Sequence, residues 1–314
     1  MTARQPRSVP LLALIVGGLL TGSMLSAQSR TSVALSEYIG DPFLGTLLTV
    51  FGGSVLLALT TAFWRPPREG LVRINRAVRE NRLSGLWLLA GVGGVLIVLA
   101  QAIAAGPLGL ALFAVGIVSG QMTGGITFDA LGIAGNGAIR PTALRVIAAL
   151  LAVAAGFSAV VANGSASVAA APLVIAFVAG IVSSWTAGAN GRVLHVARNV
   201  VSAGLVNHLA GMVVIALIVA TTLHLNSGWH IPTEPWLYCG SLFGIGALFG
   251  ATLLVRHLGV LLLGVTTVTG QLVAGLALDA LFPTAGTRTD AATIASVALT
   301  VIAVGLLYSD ARRR

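Results

Sequence analysis

Ten apolar runs divide the chain, near residues 11–30, 42–64, 85–104, 108–130, 143–162, 172–190, 200–223, 236–254, 258–281 and 291–308. Each is close to the ~20 residues that carry a helix across a bilayer, so the pattern predicts ten transmembrane helices. Turn formers stand between them: Asp41-Pro42, Pro66-Pro67, Gly106-Pro107, Arg140-Pro141, Asn163-Gly164, Pro232 with Pro235, and Pro283. Most loops are too short for a soluble domain. In the longer one, 65–84, Leu71, Ile74, Val78 and Leu83 oppose Arg73, Arg76 and Arg79. That predicts a short helix lying on the membrane surface, read first as an orientation anchor and second as a lipid-sensing or gating element.

The pattern also repeats. Leu108 to Leu131 aligns without gaps to Leu258 to Leu281; both copies begin Leu-Gly, carry Gly120-Gln121 or Gly270-Gln271, and end at Asp129 or Asp279 followed by Ala-Leu. Gly18 to Arg30 resembles Gly180 to Arg192, with an amide (Gln28, Asn190) two residues before each arginine. Such self-similarity marks a duplication, dividing the chain at 1–165 and 166–314. Five helices per copy is odd, so the second copy enters from the opposite side. The expected fold is an all-α membrane protein with ten transmembrane helices as two inverted five-helix repeats, an arrangement suited to alternating access. Arg4 and Arg7 before an apolar stretch ending Ser26-Ala27-Gln28 also fit a cleaved signal peptide. The repeat gives that stretch a counterpart, so it is read as a helix of the fold.

Composition agrees. The chain has 314 residues, 56% hydrophobic and 9% charged, with mean hydropathy +0.97; soluble domains carry roughly 25% charged residues. The net charge of +9 comes from 18 basic residues, all arginine. With the N-terminus in the cytoplasm, sixteen fall on cytoplasmic segments and only Arg30 and Arg288 outside, which fits the positive-inside rule and puts both termini in the cytoplasm. This distribution explains the charge without nucleic acid. One cysteine, Cys239, leaves no intramolecular disulfide and no cysteine cluster for a metal. Absence of lysine excludes Schiff-base chemistry, and no hydrolase or phosphate-loop motif is found. An enzyme, a cofactor and a metal are therefore not expected; His224, His230 and Glu234 are too irregularly spaced for a metal site.

The repeated motifs resemble the drug/metabolite transporter superfamily, and within it the YdcZ-like inner-membrane exporters. Leu108-Gly109, Gly120-Gln121 and Asp129 carry the likeness, again at Leu258-Gly259, Gly270-Gln271 and Asp279. Gln28 and Asn190 stand at the amide position, although an Asn is usual where Gln28 is. The resemblance implies a plasma-membrane (inner-membrane) exporter of a small solute. Relatives built from one unit imply dimers, and a homodimer stays open here.

Polar groups inside such a chain are candidates for function. Gln121 and Gln271 lie mid-helix, where an amide must find a partner, either as a helix–helix clasp or as a solute ligand. Gly116, Gly120 and Gly124 beside Gln121 would let another backbone approach closely. Asp129, Asp279 and His208 are proton-coupling candidates, with solvation or capping as the alternative for the two acids. Arg30 and Arg192, with Gln28 and Asn190, are placed to receive a polar or anionic solute at opposite mouths; snorkelling is the competing reading. The superfamily resemblance implies that cationic drug–proton antiport needs a membrane-centred carboxylate in the first helix; neither first helix here carries one, which argues against that activity. The expected function is secondary transport of a small polar or anionic solute; the alternative is a non-transporting scaffold or a lipid flippase.

Overall fold

The computed structural model describes every residue except 1–9, 132–140, 163–165, 223–229, 284–286, 288 and 313–314, and at 129, 159–162, 166–169, 222, 255–256, 259–262, 307–308 and 310–312 the backbone only. Among the described residues the regular structure is helical: α1 (Leu11–Ile39), α2 (Pro42–Phe63), α3 (Arg65–Arg79), α4 (Ala90–Leu108), α5 (Leu110–Ala130), α6 (Ala143–Ala162), α7 (Ala166–Ala197), α8 (Val200–Thr222), α9 (Gly240–Leu281) and α10 (Ala291–Arg312). Short 3-10 turns, Gly85–Leu89 and Pro235–Cys239, lead into α4 and α9. Eight spans among these residues are long and apolar enough to cross a membrane, and α6 and α10 add two shorter apolar stretches. The outward side chains, among them Leu59, Phe63, Leu150, Phe157 and Leu217, are large, apolar and exposed, as a lipid-facing surface requires. The chain is an all-α membrane protein.

Several boundaries differ from the sequence expectation, among them α7, which covers Ala166–Ala197 where 172–190 is expected. α1 runs nine residues past the expected end, because Arg30 is followed by small and apolar residues that bury, and the helix stops at Gly40 in the left-handed region (φ 78°). The runs expected at 236–254 and 258–281 fall within one assigned helix, α9. That helix is not straight. A position beside Gly240 lies 2.9 Å from Thr31 Oγ1, while Ser26 Oγ donates to the Gln271 carbonyl at 2.6 Å. Thr31 and Ser26 are about 7.5 Å apart along α1, whereas Gly240 and Gln271 would be about 46 Å apart on a straight helix. The chain therefore reverses between Leu254 and Leu263, giving two limbs that embrace α1. In the first copy, Gly109 (φ 78°, ψ 156°) makes the matching break between α4 and α5.

The repeats are interlocked. α1 packs between the limbs of α9, and α7 packs between α4 and α5, so each copy's first helix is held by the other copy. Equivalent helices pair antiparallel. On α2 and α8, Gly53 faces His208 while Leu57 faces Gly204. On α6 and α10, Ser296 Oγ donates to the Ala155 carbonyl at 2.7 Å, while Ala148 and Ala152 cluster with Ala303 and Val304. Antiparallel pairing of equivalents is the signature of inverted repeats.

α3 lies across one end of the bundle. Pro67, Gly70, Ile74 and Ala77 are buried against α7 and α8. Arg68 Nε donates to the Thr61 carbonyl at 3.0 Å and Arg73 Nε to the Ala197 carbonyl at 2.9 Å, satisfying carbonyls left open at the ends of α2 and α7.

Candidate functional site

The seam between the repeats is built on small residues. A methyl group on Gly22 would land on the Thr267 carbonyl, one on Gly120 on the Phe177 carbonyl, one on Gly180 on the Ile117 carbonyl and one on Gly270 on the Leu19 carbonyl. The backbones thus touch, the close approach that small residues permit in lipid. Serines then reach across: Ser26 to the Gln271 carbonyl at 2.6 Å, Ser184 to the Gln121 carbonyl at 2.8 Å.

These twin contacts fix the repeat register. Ser26 corresponds to Ser184, Gly22 to Gly180 and Leu19 to Phe177. The sequence match of Gly18 with Gly180 is one helical turn out of step. The counterpart of Arg30 is therefore Gly188, that of Arg192 is Ala34, that of Asn190 is Ser32, and that of Gln28 is Thr186. The sequence paired residues of similar chemistry; backbone contact pairs different ones, because close packing and not side-chain type sets the alignment of α1 with α7.

The candidate residues divide accordingly. Gln121 joins α5 to α7, its Nε2 donating to Ser183 Oγ at 3.1 Å. Gln271 is buried where α9 crosses α1. Gln28 packs its amide against Gly244. Asn190 Oδ1 accepts from Asn207 Nδ2 at 2.7 Å, a partner the sequence did not single out. His208 rests on Gly53 at the α2–α8 crossing, with Nδ1 3.0 Å from the Gly204 carbonyl. The Asp129 side chain lies outside the described residues, as do the side chains of His224, Arg256 and Arg288.

Asp279 has a definite task. Its carboxylate accepts from the backbone N–H groups of Leu110 and Ala111, both at 2.8 Å, and from Thr287 Oγ1 at 3.2 Å. It is 1% exposed and caps α5 from the other repeat. An acid at a helix N-terminus meets both the free N–H groups and the helix dipole.

Arg30 lies beyond Ser26 on the same face of α1, near enough to Asp279 to act on it electrostatically. Its Nε and Nη1 are buried without a partner. Unpartnered buried atoms recur in the first repeat: Ser32 Oγ and Ser36 Oγ on α1, Thr46 Oγ1 on α2 and Gln101 Oε1 on α4. Each is an unmet hydrogen-bonding group in the interior. Sequence reasoning missed Gln101, which is 5% exposed; an amide in an otherwise apolar span was the available signal.

The seam's two ends differ. At the Arg30 end, α5 closes in: Leu110 and Ala111 lie against Gly275 and are tied to Asp279. At the α3 end, α5 and α7 touch as far as Gly124 and then part. A methyl group on Gly125 or Gly188 would meet nothing within 4 Å. The opening is a cleft lined by Trp87, Phe128, Ser184, Trp185, Gly188 and Arg192. The Arg192 guanidinium stacks 3.9 Å from the Trp87 ring centroid, and its Nη1 is buried without a partner. Among the described residues no group of three metal-ligating side chains forms.

A family model described as "Putative inner membrane exporter, YdcZ" matches the chain twice, over residues 13–158 and 171–306. The chain belongs to the YdcZ family of inner membrane exporters. Two matches to one model mean that two YdcZ units are present in one polypeptide. No curated protein sequence matches. A protein of known crystal structure superimposes with TM-score 0.57 at 19% identity, covering 96% of this chain and 97% of that one; at that identity the likeness shows the fold alone. The YdcZ units meet along the seam just described.

Proposed function

We propose that this YdcZ-family protein is a secondary transporter that exports a small polar or anionic solute by alternating access along the seam between its repeats. The observation that carries the reading is the unequal state of the two ends. Inverted repeats give a chain two equivalent pathways to the seam, and here one is closed by α5 and Asp279 while the other is open beside Arg192. Exchange of these two states would open the other end and set Arg30 where Gly188 lines the cleft now. Both arginines retain buried N–H groups without acceptors, which suits an anionic or strongly hydrogen-bonding cargo.

Both termini are assigned to the cytoplasm, with α3 on the inner surface, from the arginine distribution. The open cleft then faces the cytoplasm, the side from which an exporter loads.

The test compares solutes accumulated inside and outside cells that express the wild-type protein or Arg30→Ala. Export of at least one solute by the wild type, reduced about tenfold or more by the substitution with membrane insertion intact, is expected. Wild-type flux in Arg30→Ala would return this arginine to an anchoring role.

A further inference from the structure

We propose that the cleft between α5 and α7 at the α3 end is the loading site for an organic acid with a flat apolar body, whose anionic group pairs with Arg192 while its body lies among Trp87, Trp185 and Phe128. This deepens the transport reading and rests on it for the word loading, though not for the site.

Four observations converge. The first is the unmet donor: Arg192 Nη1 is buried and has no acceptor, while the plane of the guanidinium is already held by Trp87 at 3.9 Å. A planar cation fixed on an aromatic face presents its remaining N–H groups at a defined angle, suited to a carboxylate or similar oxyanion. The second is the walls. Three aromatic side chains in one cleft offer faces and edges to a flat ring, and among the described residues the lining contains no carboxylate that would neutralise Arg192 or attract a cation. The third is room. A methyl group at Gly188, which lines the cleft, meets nothing within 4 Å. In the other half the Gly188 position is Arg30 and the approach is closed by Leu110 and Ala111, so the space is specific to this end. The fourth is the field outside. Residues 65–84 carry six arginines against Glu69 and Glu80, and those two acids are engaged by Arg73 and Arg82. Because α3 packs on the end of α7, this excess positive charge borders the mouth and raises the local concentration of anions.

A phospholipid also joins an oxyanion to an apolar body, so the experiment separates the two sources. Full-length protein in nanodiscs of phosphatidylcholine is titrated with 4-nitrobenzoate, and quenching of tryptophan fluorescence is followed; 4-nitrobenzamide serves as the neutral twin. The expected result is saturable quenching by the acid at about tenfold lower concentration than by the amide, unchanged when phosphatidylglycerol is added to the disc. Arg192→Gln should abolish the preference for the acid. Gly188→Leu should weaken both probes by filling the cleft. Its added side chain starts in open space, so this variant keeps the test usable if Arg192→Gln does not fold. Equal quenching by acid and amide, an unaltered preference in Arg192→Gln, unweakened binding in Gly188→Leu, or displacement of the acid by phosphatidylglycerol would each overturn the proposal. Binding is read without turnover. A wild type that binds the acid yet moves no solute across a vesicle membrane refutes the transport reading and leaves the site; one that transports another solute but does not bind the acid refutes the site alone.

Discussion

Asp279 illustrates how one buried side chain can be read two ways. In a membrane span, an acid suggests proton coupling by default. Here its two oxygens are taken by the N–H groups of Leu110 and Ala111, and Thr287 adds a third donor. The contact joins repeats, so Asp279 is at least a fastener of α9 to α5. Asp279→Ala is expected to cost about 1–3 kcal/mol by leaving two buried donors unmet, seen as a lower midpoint of thermal unfolding in detergent; Asp279→Asn, which keeps one accepting oxygen, should fall between. If Asp279→Ala melts with the wild type while solute flux disappears, the carboxylate acts in transport rather than in fastening. At the same scale, Arg30 and Arg192 were singled out in the sequence as a matched pair. The structure shows two unmatched arginines, one in the closed end and one in the open end. Their chemistry was legible in the sequence; their pairing was not, because a one-turn shift of α1 against α7 leaves no mark on residue type.

Among elements, the glycine contacts carry the assembly. Gly22 and Gly270 hold α1 to α9, and Gly120 and Gly180 hold α5 to α7. Each lies against backbone, which cannot move aside as a flexible side chain can. Gly120→Val and Gly22→Val should therefore lower the yield of folded protein sharply, whereas Gly125→Ala and Gly188→Ala, facing open space, should not; fluorescence-detected size-exclusion profiles of the four variants decide it. The GxxxGxxxG pattern at Gly116, Gly120 and Gly124 announced a close helix contact in the sequence. Which helix it contacts, α7 of the other repeat, followed only from the fold. The reversal inside α9 falls where the sequence separates the runs 236–254 and 258–281 into two limbs. Membrane thickness explains why: a span longer than the bilayer needs must turn or leave it.

For the molecule as a whole, interlocking has a consequence for folding. Since α1 is held by α9 and α7 by α4 and α5, neither repeat alone can bury the small-residue faces that it offers the other. Residues 1–165 and 166–314 expressed separately should accumulate poorly, and their co-expression should restore a complex that co-purifies. A first repeat that is stable by itself would mean that the contacts between repeats are incidental. Reporter fusions should place both tails on the cytoplasmic side, as the arginine distribution requires.

What the sequence by itself determined is what depends on solvent and on counting. Ten apolar runs, an odd five per copy and a one-sided arginine distribution specify a ten-span bundle of opposed repeats, because lipid admits few alternatives. The family followed from the same repeated motifs. What only the tertiary structure decided depends on which surfaces meet: the register of the repeats, the burial of Arg30 Nε and Nη1, the capping by Asp279, and the aromatic cleft around Arg192. Trp87, Phe128, Trp185 and Arg192 come from three separate elements, and no local pattern links them. They converge because α5 and α7 part beyond Gly124, and such a divergence is a property of packed backbones rather than of any one segment.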